Sequence, residues 1–417
     1  MVSISGEGRG QRAEDGGQRM EWKKAGETMN TSQPFSKEPA FVNREDELAY
    51  LETWISARPE NILFLYGPKS SGKTTLIYRF IDQNLSNDRY DIKHFNLREL
   101  LLVNYENFLQ AFFEIKAGEQ IKETRQYDLK VFKLSVETLK GLELRELDPF
   151  VVMKRELEKS NKKGKRPVII IDELQALDEI YFNGGRELLN EMINFFVAMT
   201  KESHLCHVLI ASSDGYFIER IYQDSKLKKT SRLLEIKYIG YEDVMHWLSN
   251  LNAYSKIDRF VLSDGQKQAI WDFFGGSCWE ISDFLGDLLN VSQQRSVPDT
   301  GFEELLSEKL IFFRSMFVEY ATIIPKKRAL LQEMGRVIGN KKRAFAVEDL
   351  AALVEQGGWR AEELIDELNS LVRKNFLSYA PPRAEYALQG RSMELGLDAY
   401  VKMIGVWRWK ESDGCVT

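Results

Sequence analysis

The run Gly67-Pro68-Lys69-Ser70-Ser71-Gly72-Lys73-Thr74 fits the spacing G-x-x-x-x-G-K-[ST], and each residue type in it answers a chemical need. Glycines let backbone N–H groups turn inward on phosphate oxygens, and a helix starting at the end of the loop adds a favourable dipole. Lys73 is placed to reach the β- and γ-phosphates of a nucleoside triphosphate, with Thr75 among the phosphate contacts. Thr74 is placed to hold magnesium through its hydroxyl. Hydrolysis needs an acid at the end of a buried strand, and "RPVIIIDELQAL" contains one. Asp172 suits the metal shell, and Glu173 suits polarisation of the attacking water.

Two weaker candidates follow along the chain. Ser213, after "HVLIAS", can orient the lytic water if its strand lies between the loop strand and the acid strand; an ordinary Ser-Asp turn is the other reading. Arg232, after Lys228 and Lys229, can clamp the γ-phosphate in its own chain or in a neighbour; a solvated basic turn is the alternative, and for the lysines the preferred one.

These residues need particular elements to position them. "ILFLY" before the loop is a short buried strand, and Leu76, Phe80 and Ile81 after it have helical spacing. Val168 to Ile171 form a continuous β-branched run, as expected for a strand covered on both faces. The edge of such a sheet at its strands' carboxyl ends is where doubly wound folds bind ligands. "FVNREDELAYL" reads as a helix start, with Asn43 as N-cap and Asp46 as a first-turn acid. The stretch 101–165 is long for a connection and contains two amphipathic helices, "YENFLQAFFEIKAG" and "DPFVVMKRELEKSNKKGKR", a plausible partner surface.

The order of these pieces resembles the archaeal-type ATPases, a branch of the P-loop signal-transduction (STAND) ATPases near AAA+ proteins. "FVNREDELAYL", "GPKSSGKTTL", "HFNLREL", "IIIDELQAL" with Gln175, "LIASSD", "GYEDVMHWL" and "FFGGSCWEISDFL" carry the resemblance, over roughly residues 35 to 290. It implies a P-loop α/β parallel sheet with a helical lid, ATP as ligand with Mg2+, and residues 41–47 near the adenine. Arg44 and Glu47 are then the signature polar positions. The chain departs from the family at Cys278, where a proline is usual in the part of the lid that approaches the base.

Beyond residue 310, "KKRALLQEMGRVIG", "AVEDLAALVEQG" and "RAEELIDELNSLVRKN" have helical spacing, and "FLSYAPPRAEYALQ" reads as a hairpin, together a winged helix. Residues 311–417 carry 16 Lys/Arg and 14 Asp/Glu, a difference of +2. Glu362, Glu363, Asp366 and Glu367 would meet phosphates if the third helix entered a DNA groove. Basic clusters at 326–328 and 341–343 can touch a DNA backbone, yet a packing or regulatory role is favoured over DNA readout.

Composition is consistent with this reading. The 417 residues are 43% hydrophobic and 29% charged, with a net charge of -6 that gives no global attraction to nucleic acid or anionic membrane. Three separated cysteines, Cys206, Cys278 and Cys415, indicate neither a disulfide frame nor a zinc site, and a reducing cytoplasm is expected. No run approaches a membrane span, and no signal peptide opens the chain. The expected organisation is a disordered tail over 1–34, an ATPase core over 35–240, a helical lid over 241–309 and a winged helix over 310–417. The expected activity is a slow, magnesium-dependent ATPase that switches a protein partner or a self-association. A DNA-associated ATPase resembling origin-recognition and loader proteins, and a nucleotide-stabilised scaffold with little turnover, are the alternatives.

Overall fold

The structure, a computed structural model, describes residues 40–99, 104–115, 131–177, 180, 187–224, 226–322, 324–339 and 343–412. The tail expected over 1–34, Cys415, and Lys341 and Lys342 of the second basic cluster lie outside the described residues.

Five parallel strands form the central sheet: β1 (Ile62–Tyr66), β2 (Tyr90–Asn96), β3 (Arg166–Asp172), β4 (His207–Ser212) and β5 (Ser231–Glu235), in the order β2-β3-β4-β1-β5. Strands β1 and β4 are buried throughout, β4 with its terminal His207 and Ser212 included. Period-two alternation divides the side chains between two cores. Leu63, Leu65, Val168, Ile170 and Leu209 pack under the helices Glu45–Ser56 and Lys73–Asn84. Ile62, Phe64, Ile169, Ile171 and Val208 face the helices Tyr105–Phe112, Pro149–Lys162 and Leu188–Val197. The register pairs Asn96 with Asp172, Asp172 with Ala211, and Tyr66 with both Ser212 and Glu235. The loop, the acid pair and Ser213 therefore all leave the sheet at one edge, and β4 does lie between β1 and β3.

Within the stretch 101–165 the first helix ends earlier than its apolar spacing suggests. Helix Tyr105–Phe112, capped where Asn104 accepts from the Asn107 N–H at 2.9 Å, gives way to a strand, Phe113–Ile115, paired in parallel with Phe132–Leu134. Tertiary packing overrides the local pattern: Phe95 stacks on Phe112 at 4.2 Å, and Phe113 packs on Phe132 at 5.8 Å. The second helix, Pro149–Lys162, starts as expected, with Asp148 accepting from the Phe150 and Val151 N–H groups at 2.7 and 3.2 Å.

After β5 come helices Tyr241–Ser249, Leu251–Ser255, Asp264–Phe274 and Cys278–Val291, then one of 23 residues, Asp299–Ala321. The C-terminal region has helices Pro325–Gly339, Ala351–Glu355 and Ala361–Arg373. It also has a three-stranded antiparallel sheet of β6 (Ala344–Phe345), β7 (Leu377–Ala380) and β8 (Glu385–Leu388), with β8 in the middle. A further helix, Arg391–Ser412, lies in a stretch to which sequence reading assigned no element. A boundary at 309/310 falls inside helix Asp299–Ala321. That helix packs along Arg391–Ser412 so closely that a Cβ on Gly396 would lie 2.8 Å from the Phe313 Cβ. One continuous core, from Val244 and Trp247 through Phe317 to Leu397 and Tyr400, joins the helical segment to the C-terminal region.

Candidate nucleotide-binding and hydrolysis site

Strand β1 ends at Tyr66, and the chain turns through Gly67 with φ +152, where a Cβ would overlap the Ile236 carbonyl. Ser70 (φ +65) and Gly72 (φ +89) continue the turn in left-handed conformations, after which helix Lys73–Asn84 begins. The first-turn N–H groups of that helix have no partners further back along it, so this end is suited to an anion. Lys73 is buried, its Nζ donating to the Gly67 and Pro68 carbonyls at 2.9 and 2.8 Å. Burial lowers its pKa to about 8, against the opposing pull of Glu173 and Asp172. Ser71 is also buried and anchors the loop through its carbonyl.

Thr74 and Asp172 meet as the sequence implied, the Thr74 hydroxyl donating to Asp172 Oδ2 at 2.7 Å. The other oxygen, Oδ1, is buried without a hydrogen-bond partner, and burial raises the pKa of the carboxyl. A hydroxyl oxygen beside an unsatisfied carboxylate oxygen fits a small hard cation that completes its shell with water and phosphate. These two residues would hold magnesium.

Glu173 follows at φ +64, its N–H donating to the Ala211 carbonyl at 2.8 Å. A left-handed glutamate at a strand end is the kind of backbone strain that gathers at functional sites. Its carboxylate accepts from Arg98, from Gln175 and, at 3.2 Å, from the Ser213 hydroxyl. Ser212 in turn donates to Gln175 Oε1 at 2.9 Å. The sequence alone points to no site role for Arg98; strand register does, since it lies two residues past the Asn96–Asp172 pair, beside the acid strand.

A cavity of about 480 Å³ opens along the loop, lined by Lys69, Ser70, Gly72, Lys73, Thr74 and Thr75. Phe41, Val42 and Cys278 contribute to its walls, as do Phe312 and Phe313 from the long helix. Burial pushes the Cys278 thiol up to about 11, so it presents a neutral surface. Arg44 borders the cavity too, but its guanidinium is engaged by Glu47 and by the carbonyls of Ser71 and Lys237, each at 2.7 Å. It pins the loop to the chain leaving β5. Asn43 does not cap the helix. It has φ +43 and donates to Asp243 at 2.7 Å, while Arg44 occupies the cap position.

Arg232 is not brought to the site. It is exposed on the edge strand, paired with Leu63 three positions before Glu235, on the side remote from the loop. Two further residues do reach the loop from far along the chain. The Lys69 N–H donates to Gln389 Oε1 at 2.9 Å, and Tyr238 donates to the Lys69 carbonyl at 2.9 Å. Gln389 is itself held by donation from Nε2 to the Leu377 carbonyl at 2.9 Å.

Fold and site together define a P-loop nucleotide-binding protein on a five-stranded parallel sheet. The chain belongs to the family of ATPase domains found predominantly in Archaea, whose profile matches residues 41–284. An uncharacterized ATP-binding protein of Methanocaldococcus jannaschii is 40% identical over 207 residues, 49% of this chain and 60% of its own length. Another from that organism is 32% identical over 284 residues, 65% of this chain and 77% of its own length. The chain spans only about three fifths of the length of four such relatives, 58% to 60%. Among solved structures, a Walker-type ATPase of Pyrococcus abyssi has a TM-score of 0.60 at 15% identity, covering 86% of this chain and 96% of its own. The ORC2 protein of Aeropyrum pernix has a TM-score of 0.51 at 12% identity, covering 89% and 96%. At such identities the likeness is one of fold. Among the described residues no helix is long and apolar enough to cross a membrane.

Proposed function

We propose that the chain is a cytoplasmic, magnesium-dependent ATPase whose nucleotide state sets the placement of its C-terminal region for a protein partner or a second copy. The observation that carries this reading is the Gln389–Lys69 hydrogen bond. A residue at the foot of β8 accepts directly from the phosphate loop, 320 positions away in sequence, which supports coupling between the two. Asn375 and Met393 border the same cavity, which supports a roof over the nucleotide supplied by the C-terminal region.

In this reading Lys73 and the loop N–H groups bind the β- and γ-phosphates, and Thr74 and Asp172 would hold a magnesium ion, which would supply neutralising charge to the phosphate oxygens. Glu173 takes a proton from the attacking water, whose oxygen bonds to the γ-phosphorus as the bond to the ADP oxygen breaks with its electron pair. Ser213 and Gln175 orient Glu173. The three helices and antiparallel sheet are read as a winged helix in a regulatory rather than a DNA-reading role. Lys326 pairs with Glu363 at 2.8 Å and Lys327 with Glu367 at 3.3 Å, so two cations of the first basic cluster are already used against the third helix. The direct test is nucleotide binding by calorimetry together with labelled-duplex titration at two salt concentrations. Micromolar or tighter ATP with only weak, salt-sensitive DNA contact supports this reading; tight, sequence-dependent DNA binding replaces it with the DNA-associated one.

A further inference from the structure

A second cavity, of about 460 Å³, adjoins the one along the loop. Four residues, Lys69, Arg98, Glu173 and Asn375, border both. The second cavity takes Ser213 and Arg220 from the ATPase core. Arg373, at the end of helix Ala361–Arg373, comes from the C-terminal region. Its cations are Lys69, Arg98, Arg220 and Arg373; its carboxylates are Glu173 and Asp214. Glu173 accepts from Arg98, and Asp214, which accepts from the Phe217 N–H at 2.9 Å at the start of helix Gly215–Asp224, also feels the charges of Arg373 and Arg220.

We propose that this second cavity is a binding site for inorganic phosphate, shared between the core and the C-terminal region. The inference rests on the ATPase reading above and deepens it. Guanidinium groups match the oxygens of a tetrahedral oxyanion, and three of the four cations here are arginines. Glu173 and Arg98, beside the hydrolytic end of the loop cavity, also border this one, whereas Phe41 and Cys278 do not. Phosphate leaving the γ position therefore enters it without displacing ADP, and the volume leaves room for a hydrated ion. Because Arg220 and Arg373 come from different parts of the chain, bound phosphate holds them together and favours the docked C-terminal region until it leaves.

The probe is inorganic phosphate itself, titrated by phosphorus NMR against the full chain loaded with ADP and magnesium, at constant ionic strength set with chloride. Saturable binding is expected. Arg373→Ala and Arg220→Gln should each weaken it by about tenfold, the scale of one charge-assisted contact. Absence of saturable binding to an ADP-loaded chain overturns the inference. So does binding that survives both arginine substitutions. ADP affinity is measured in parallel. If ADP does not bind, the ATPase reading fails, while the arginine variants still decide the phosphate site.

Discussion

Gln389→Ala is the perturbation that isolates the link between the phosphate loop and the C-terminal region. The side chain is buried and makes two hydrogen bonds, accepting from the Lys69 N–H and donating to the Leu377 carbonyl. The first crosses to the loop; the second stays within the C-terminal sheet. An intramolecular hydrogen bond contributes about 0.5–1.5 kcal/mol net, so loss of the first should speed ADP release by roughly two- to twelvefold. Loss of the second leaves a buried acceptor short of a donor and costs about 1–3 kcal/mol of stability. The two effects separate by assay: stopped-flow release of a fluorescent ADP analogue reads the first, and thermal unfolding reads the second. Gln389→Glu sharpens the test. It keeps an acceptor for Lys69 but sets a negative charge beside the phosphates, so it should weaken ATP more than ADP. An unchanged release rate in a Gln389→Ala variant that unfolds at lower temperature would refute the coupling.

Other predictions follow from the loop and the core. Lys73→Ala should abolish ATP binding in calorimetry with an unchanged circular dichroism spectrum, because the ammonium bonds only to its own loop and awaits a ligand. Gly67→Ala should also lose nucleotide, since a Cβ would strike the Ile236 carbonyl; binding at wild-type affinity would mean the loop has another shape. His207 is buried beside Trp54 with Arg166 nearby, and burial lowers its pKa to about 3. Between pH 6.5 and 3 the unfolded chain therefore binds a proton that the folded chain does not, so stability falls as pH drops through that window, by up to about 5 kcal/mol. His207→Gln should flatten that part of the denaturation profile.

What could be read from the sequence was local. Strand, loop and helix around Lys73, and the β-branched run ending at Asp172, state their structure within a dozen residues, and the sheet placed them as expected. The reach of Gln389 and Tyr238 to Lys69 depends on tertiary packing, for which no periodicity exists. Register with Leu63 sets Arg232 at the far end of its strand, away from the loop of its own chain, which local composition cannot foresee. Asn43 had the composition of a cap, yet its side chain is used by Asp243, which local spacing cannot foresee. Helix content near Phe113 was overestimated because an aromatic cluster, not helix periodicity, fixes that residue. The division at 309/310 has a practical consequence. Deleting 310–417 would cut helix Asp299–Ala321 and strip part of a shared core, so point substitutions test the C-terminal region better than truncation.

The most direct measurement is phosphate release from ATP by the full chain, with and without magnesium, beside Glu173→Gln. The account predicts slow, magnesium-dependent turnover that falls by roughly two to four orders of magnitude in Glu173→Gln while ATP still binds. Near-normal turnover in that variant, or turnover indifferent to magnesium, would contradict the roles given to Glu173, Thr74 and Asp172.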